Sequence, residues 1–178
     1  MLLFKMILIV ATLFTSNGQW QRVNTSEQIS FLLPNHPQKI QKLINGIPST
    51  IYQTKDLTCV AGVVCSDLSA KKIKMTIEYA QLLYEELKKE SINIKSAILK
   101  NERTIPYENM LIKEIEYSII KGDYEMTYFK RFIFRDNYIY QISIGGRTRH
   151  TEIIQEEKEI FFNSISFQTT TPSENTEK

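Results

Sequence analysis

The chain is poor in the residues that most often carry chemistry. Its 178 residues include two cysteines, two histidines, one tryptophan and six glycines. No G-x-S-x-G, H-E-x-x-H, C-x-x-C, P-loop or dinucleotide glycine pattern occurs, so the usual signatures of serine hydrolases, zinc peptidases, thiol oxidoreductases and nucleotide-binding folds are missing. A metal site assembled from His36, His150, Cys59 and Cys65 would lack the local ligand pairs of zinc motifs, so no metal and no other cofactor is expected. A dominant charge is lacking too. The 22 basic and 20 acidic residues leave a net charge of +2, and they are spread along the chain, so nucleic-acid binding is not expected.

Long apolar runs are also absent. The run Met6 to Phe14 follows Lys5 and gives way to small and polar residues. A spanning helix needs about 20 apolar residues, whereas the apolar region of a secretory leader needs only about 7 to 15. Ser16 and Gly18 place small side chains where a signal peptidase reads, so residues 1–18 read as a signal peptide and Gln19 as the new N-terminus. A secreted or periplasmic mature chain follows, without stable membrane insertion. The triplet Asn24-Thr25-Ser26 fits an N-glycosylation acceptor if the source is a eukaryote. At the other end, residues 168–178 hold nothing that can be buried and read as a disordered tail. Residues 19–167 have the length of one domain, large enough to need no disulfide or metal staple.

What the chain does have is periodicity. Ile29 to Leu33 reads as a strand stopped by Pro34 and Pro37. Gln38 to Ile44 and Ser49 to Thr54 flank Asn45-Gly46 and predict a hairpin. Leu57 to Ser66 is β-branched and apolar, with Gly62 marking a bulge or a close backbone approach. Ile73, Ile77, Ala80, Tyr84 and Leu87 recur at helical spacing and predict a helix over 70–89, capped by Ser69, whose stripe lies on a sheet. Strands are predicted over Asn93 to Asn101, Asn109 to Ile120, Tyr124 to Arg135 and Tyr138 to Gly145.

In the last two of these strands, the apolar positions share a core face only if a three-residue loop, Arg135-Asp136-Asn137, pairs Phe134 with Tyr138 and Phe132 with Tyr140. A two-residue turn would place the two apolar sets on opposite faces. A second helix, about Glu152 to Asn163, has Thr151 as N-cap and Ile153, Ile154, Ile160 and Phe161 inward, and a short strand, Ser164 to Phe167, follows. The fold class is α+β: a mostly antiparallel sheet packed against two main helices.

This order of elements resembles PsbP-like proteins. So do the phrases Ile29-Ser30-Phe31-Leu32-Leu33-Pro34, Tyr124 to Arg135, Tyr138-Ile139-Tyr140-Gln141-Ile142 and Phe161 to Phe167. The resemblance covers most of residues 27–167. It implies a sheet with helices packed on it and a role in binding or assembly, and it carries over no site residue.

Three groups are left as candidates for chemistry. Arg147, Arg149 and Thr151 follow Gly145-Gly146 at the start of a helix, where two guanidinium groups and a positive dipole end suit a carboxylate or phosphate. Cys59 and Cys65 on one continuous strand would be too far apart for a disulfide, so buried thiols are favoured and a bond requires a reversal near Ala61-Gly62. The acidic pairs Glu85 and Glu86, Glu114 and Glu116, and Glu156 and Glu157 lie among lysines and polar residues and read as solvated faces. The leading expectation is an exported, non-catalytic domain that binds a protein or envelope partner. The alternatives are an anion- or small-ligand-binding protein using Arg147 and Arg149, and a hydrolase using His36 or His150 with a serine or cysteine.

Overall fold

The computed structural model describes residues 20–56, 58–107 and 110–168. The expected signal peptide, and all of the expected tail but Gln168, lie outside these residues. Among the described residues ten strands and two α-helices run in the order β1 (Trp20–Asn24), β2 (Ile29–Pro34), β3 (Gln38–Ile44), β4 (Ile47–Lys55), β5 (Cys59–Asp67), α1 (Ile77–Ile92), β6 (Ala97–Ile105), β7 (Leu111–Lys121), β8 (Tyr124–Arg135), β9 (Tyr138–Arg147), α2 (Thr151–Asn163) and β10 (Ser166–Phe167). Seven strands form one antiparallel sheet in the order β3-β4-β5-β9-β8-β7-β6, and β1-β2-β10 form a second, smaller sheet.

The large sheet is covered on both faces. On one face Val63, Phe129, Ile133, Tyr140, Ile142 and Ile144 pack with Ile29, Phe31 and Leu33 of β2 and with Ile154, Phe161 and Phe162 of α2. On the other, Leu111, Ile115, Tyr117, Phe132, Phe134 and Ile139 pack with Ala80 and Tyr84 of α1. The alternation along β8 and β9 therefore serves two cores, not one.

This corrects the expected hairpin. Phe134 pairs with Ile139 and Arg135 with Tyr138, leaving a two-residue turn, Asp136-Asn137, in which Asp136 takes the left-handed φ of 50°. The shorter turn wastes no core, because both apolar sets find a cover. The β3–β4 hairpin closes at Asn45-Gly46 as expected, with both residues at positive φ, as a tight primed turn requires.

Both helices depart from their expected extents. Ser69–Lys71 forms a separate 3-10 turn, and Lys72 then adopts φ 51°, which ends it, so α1 starts at Ile77 with the Thr76 hydroxyl accepting the Tyr79 N–H. The stripe narrows to Ala80 and Tyr84, flanked by Leu83 and Leu87, while Ile77 is half exposed. Thr151 does not cap α2. It lies inside the first turn, and its hydroxyl donates to Thr148 O at 2.6 Å. Ile153 and Ile160 face outward, and Phe162 takes the inward position with Ile154 and Phe161.

Several strand boundaries move as well. Asn93 ends α1, so the next strand begins at Ala97 and not at Asn93. The final strand begins at Ser166. Strand β1 escaped the sequence reading; its five residues, Trp-Gln-Arg-Val-Asn, carry too little apolar alternation to signal a strand. Gln168, assigned to the tail, donates its N–H to Gln28 O and accepts from Arg135 through its own carbonyl.

The glycines of the central strands are set by packing. At Gly62 the ladder runs on without a shift, and an added Cβ would lie 2.9 Å from Tyr52 O: a close approach, with no bulge. At Gly145 a Cβ would meet the Tyr128 ring and lie 2.8 Å from Thr127 O, and at Gly146 it would collide with Thr58 O and lie 2.9 Å from Ile154 Cδ1. Overpacking of this kind costs about 1–3 kcal/mol. Gly146→Ala is therefore expected to destabilise the fold by that amount in urea unfolding, whereas Leu82→Ala, at a position 65% exposed, stays within about 0.5 kcal/mol of the wild type.

Candidate functional site

The ends of four strands and the approach to α2 enclose an open cavity of about 510 Å³. Lys55 and Asp56 come from the end of β4, Cys59 and Val60 from the start of β5, Tyr124 and Met126 from β8, Gly145 to Arg147 from β9, and Arg149 and His150 from the turn that follows. Two of the three expected site residues, Arg147 and Arg149, line it; Thr151 does not. The Arg147 guanidinium stacks 4.9 Å over the Tyr124 ring, and Arg149 Nε donates to His150 Nε2 at 3.0 Å. Gly145 and Gly146 pair with β5 on one side and β8 on the other, so they are ladder residues of a central strand. Lys55, Asp56 and Tyr124 carry no sequence signal of a site and were not anticipated.

Cys59 lines this cavity and is itself buried. Its thiol donates to Glu157 Oε2 at 2.8 Å and is 3.7 Å from Asp56 Oδ2, while Asp56 Oδ1 accepts the N–H groups of Thr58 and Cys59. Asp56, Cys59 and Glu157 offer three potential ligand atoms within 4.8 Å of one another, the one such metal-capable group among the described residues. Glu157 is thus not part of a merely solvated pair. Burial raises its pKa, opposed by the hydrogen bond from Cys59 and reinforced by Asp56. The four residues weighed as a composite metal site do not meet: Cys59 and His150 line this cavity, whereas Cys65 lines another.

That second cavity, about 520 Å³, opens beside the β3–β4 hairpin. It is lined by Glu27 from the β1–β2 turn, Gln41 and Leu43 of β3, Thr50 of β4, Cys65 and Asp67 of β5 and Tyr138 of β9, among others. Burial opposes ionisation of Glu27, but hydrogen bonds from Thr50, its own backbone, Tyr52 and Ser26 outweigh it and hold the carboxyl below its usual range.

No family model and no curated protein matches the sequence. Solved structures do match. Cyanobacterial PsbP (CyanoP) from Synechocystis sp. PCC 6803 superposes with a TM-score of 0.58 at 12% identity, over 86% of this chain and 95% of that one. This is a PsbP-like fold. A Pseudomonas aeruginosa protein of unknown function, PA94, aligns over 80% of this chain and 95% of its own at 13% identity and a TM-score of 0.42. LpqN of Mycobacterium tuberculosis, involved in cell envelope biogenesis, aligns over 84% and 79% at 11% identity and a TM-score of 0.45.

Within this PsbP-like fold, Glu114, Arg131 and Lys130 join strands to one another and to the helices. Glu114, expected on a solvated face, is buried. It accepts from Arg103 Nε and Arg131 Nε at 2.6 Å each, and both arginines stand directly across the ladder from it. Arg131 also donates to Phe162 O at 2.8 Å, placing a cation at the end of α2, where the helix dipole favours one. Lys130 donates to Ser91 Oγ at 2.9 Å beneath the end of α1 and lies 5.1 Å over the Phe132 ring.

No helix among the described residues is long and apolar enough to cross a membrane.

Two measurements check these environments. Burial, the Glu157 hydrogen bond and the nearby carboxylates push the Cys59 thiol up, and burial and Glu27 do the same for Cys65. The two cysteines are free and buried, so both should resist a thiol reagent at mildly alkaline pH and react once urea unfolds the chain; prompt native labelling of Cys59 would contradict this.

Burial also brings the Lys130 ammonium down to about 8, against the pull of Glu90. The unfolded value is about 10.4, so between these values the unfolded chain binds more protons, and this group makes stability rise with pH. Lys130→Met should therefore be more stable than the wild type at about pH 7, with the difference shrinking toward about pH 10; a gap independent of pH would refute the assignment.

Proposed function

We propose that the chain is an exported, non-catalytic domain that acts by binding a protein or envelope partner. The supporting observation is β3. This edge of the large sheet leaves six of its seven residues exposed, with Leu43 at 70%. The groups a hydrolase would need stand apart or are blunted. His36 is exposed on the β2–β3 connection, His150 accepts from Arg149, and the Cys59 thiol faces carboxylates that disfavour the thiolate. Export rests on the leader-like residues 1–18. A photo-crosslinker at Leu43 in cells of the source organism should yield a discrete adduct with an exported or envelope protein, on a chain whose N-terminus is Gln19. Absence of any adduct, together with turnover of a substrate by the purified chain, would overturn the proposal.

A second reading is favoured by the lining of the 510 Å³ cavity, where Lys55, Arg147, Arg149 and His150 share the wall with a single carboxylate, Asp56. It is a binding site for a small anion. A ligand at one hundred times its Kd adds about 2.7 kcal/mol, roughly 2–4 °C in Tm for a chain of this size. A panel of phosphate, sulfate and di- and tricarboxylates should give such a shift, lost in the Arg147→Ala, Arg149→Ala double variant; a flat panel removes this reading.

A further inference from the structure

The two edges of the large sheet are built differently. β6 is blunted: it carries Lys100, Glu102 and Arg103, its register shifts between Leu99 and Asn101, and its charges are tied to Lys88, Glu114 and Glu125. Charges, bulges and covering elements are the devices that stop an edge from pairing with another chain. Among the described residues β3 has neither a bulge nor a covering element, and its charges are of one sign, which deters a neutral or basic strand and admits an acidic one. It pairs with β4 through seven consecutive residues without a shift. Its charged residues, Lys39 and Lys42, are both positive, and neither forms an ion pair among the described residues. Ile40 and Leu43 are exposed, at 39% and 70%.

An unblocked edge offers its outward N–H and C=O groups to an added strand, with affinity from the main chain and specificity from alternate side chains. Every pairing in the sheet is antiparallel, and antiparallel pairs are the more stable per residue. Side chains directly across an antiparallel pair interact, with opposite charges favourable and like charges unfavourable. An added strand therefore meets Leu43, Lys42, Gln41, Ile40 and Lys39 in that order. The best match is apolar, acidic, any residue, apolar, acidic. A second copy of β3 does not fit: it gathers four lysines and no carboxylate along one seam.

We propose that β3 is the docking edge for an extended acidic segment of another protein, of the pattern apolar-acidic-x-apolar-acidic, added antiparallel as an eighth strand. This rests on the partner-binding reading and names the partner's chemistry.

The test uses a fluorescent peptide with Val-Glu-Thr-Val-Glu at its centre, with scrambled and Val-Lys-Thr-Val-Lys peptides for comparison. Anisotropy should show the acidic peptide binding at least about tenfold more tightly than the other two. Added peptide should slow amide exchange in residues 38–44, and the Lys39→Glu, Lys42→Glu variant should exchange its preference for the lysine peptide. Equal binding of the scrambled peptide, slowed exchange elsewhere, or an unchanged preference in the variant would each overturn the proposal. Were the variant not to fold, the exchange result on the wild type decides alone. Protection of 38–44 that grows with protein concentration and no peptide would assign the edge to self-association and overturn it also. A Leu43 crosslink to a partner that lacks an acidic strand would sink this inference while leaving the binding reading intact.

Discussion

Strands β8 and β9 carry large apolar side chains on both faces, and the rest of the molecule is arranged to keep both faces from water. Phe132 and Phe134 point one way, to α1; Phe129 and Ile133 point the other, to β2 and α2. A sheet buried on one side needs one cover, but this one needs two, and the chain supplies them from different parts of its length. Residues before the large sheet form the small sheet together with β10 from the end of the chain's described part, a helix inserted between β5 and β6 covers one side, and a helix after β9 returns to the other. The closeness of α2 to the sheet explains Gly146, where a side chain would strike Ile154 as well as Thr58, while at Gly145 the Tyr128 ring of the paired strand takes the space. The same closeness buries Glu114 under the end of α2, where two arginines offset the cost of removing its charge from water.

α1 reaches the β6 margin, where Tyr84 and Lys88 bind Glu102, and the open features lie at the other margins. Where β4, β5, β8 and β9 end beside α2, a cavity rich in cations remains. Along β3, the opposite edge of the large sheet, a second cavity and an exposed strand remain. The centre of the fold is thus committed to packing, and the exposed polar and apolar groups lie at its margins and connections.

The sheet, its strand order along the chain, the Asn45-Gly46 hairpin and the two helices were legible because each rests on periodicity or on turn residues with positive φ. The register between β8 and β9 was not. Alternation reports that two apolar sets exist, but whether they share a core depends on what covers each face, and that is set by residues as distant in the chain as Ile29 is from Ile144. The same blindness placed Ile153 and Ile160 inward on α2 and Glu114 in solvent: around Glu114 the sequence shows the charges of Lys113 and Glu116, whereas Arg103 and Arg131 arrive from other strands. In the candidate site Arg147 and Arg149 stood out as a local cluster. Lys55, Tyr124 and the pairing of Cys59 with Glu157 came from four separate segments, and no local pattern announces them.

Native-state amide hydrogen exchange across the whole chain tests the account most directly, because it reads both the doubly covered centre and the open margin in one experiment. The account predicts that the amides of β9, Tyr138 to Arg147, exchange only through global unfolding, whereas those of β3, Gln38 to Ile44, exchange through local opening orders of magnitude faster. Protection of β3 equal to that of β9 in dilute monomeric protein would contradict it, since the edge would then be covered and unavailable to a partner.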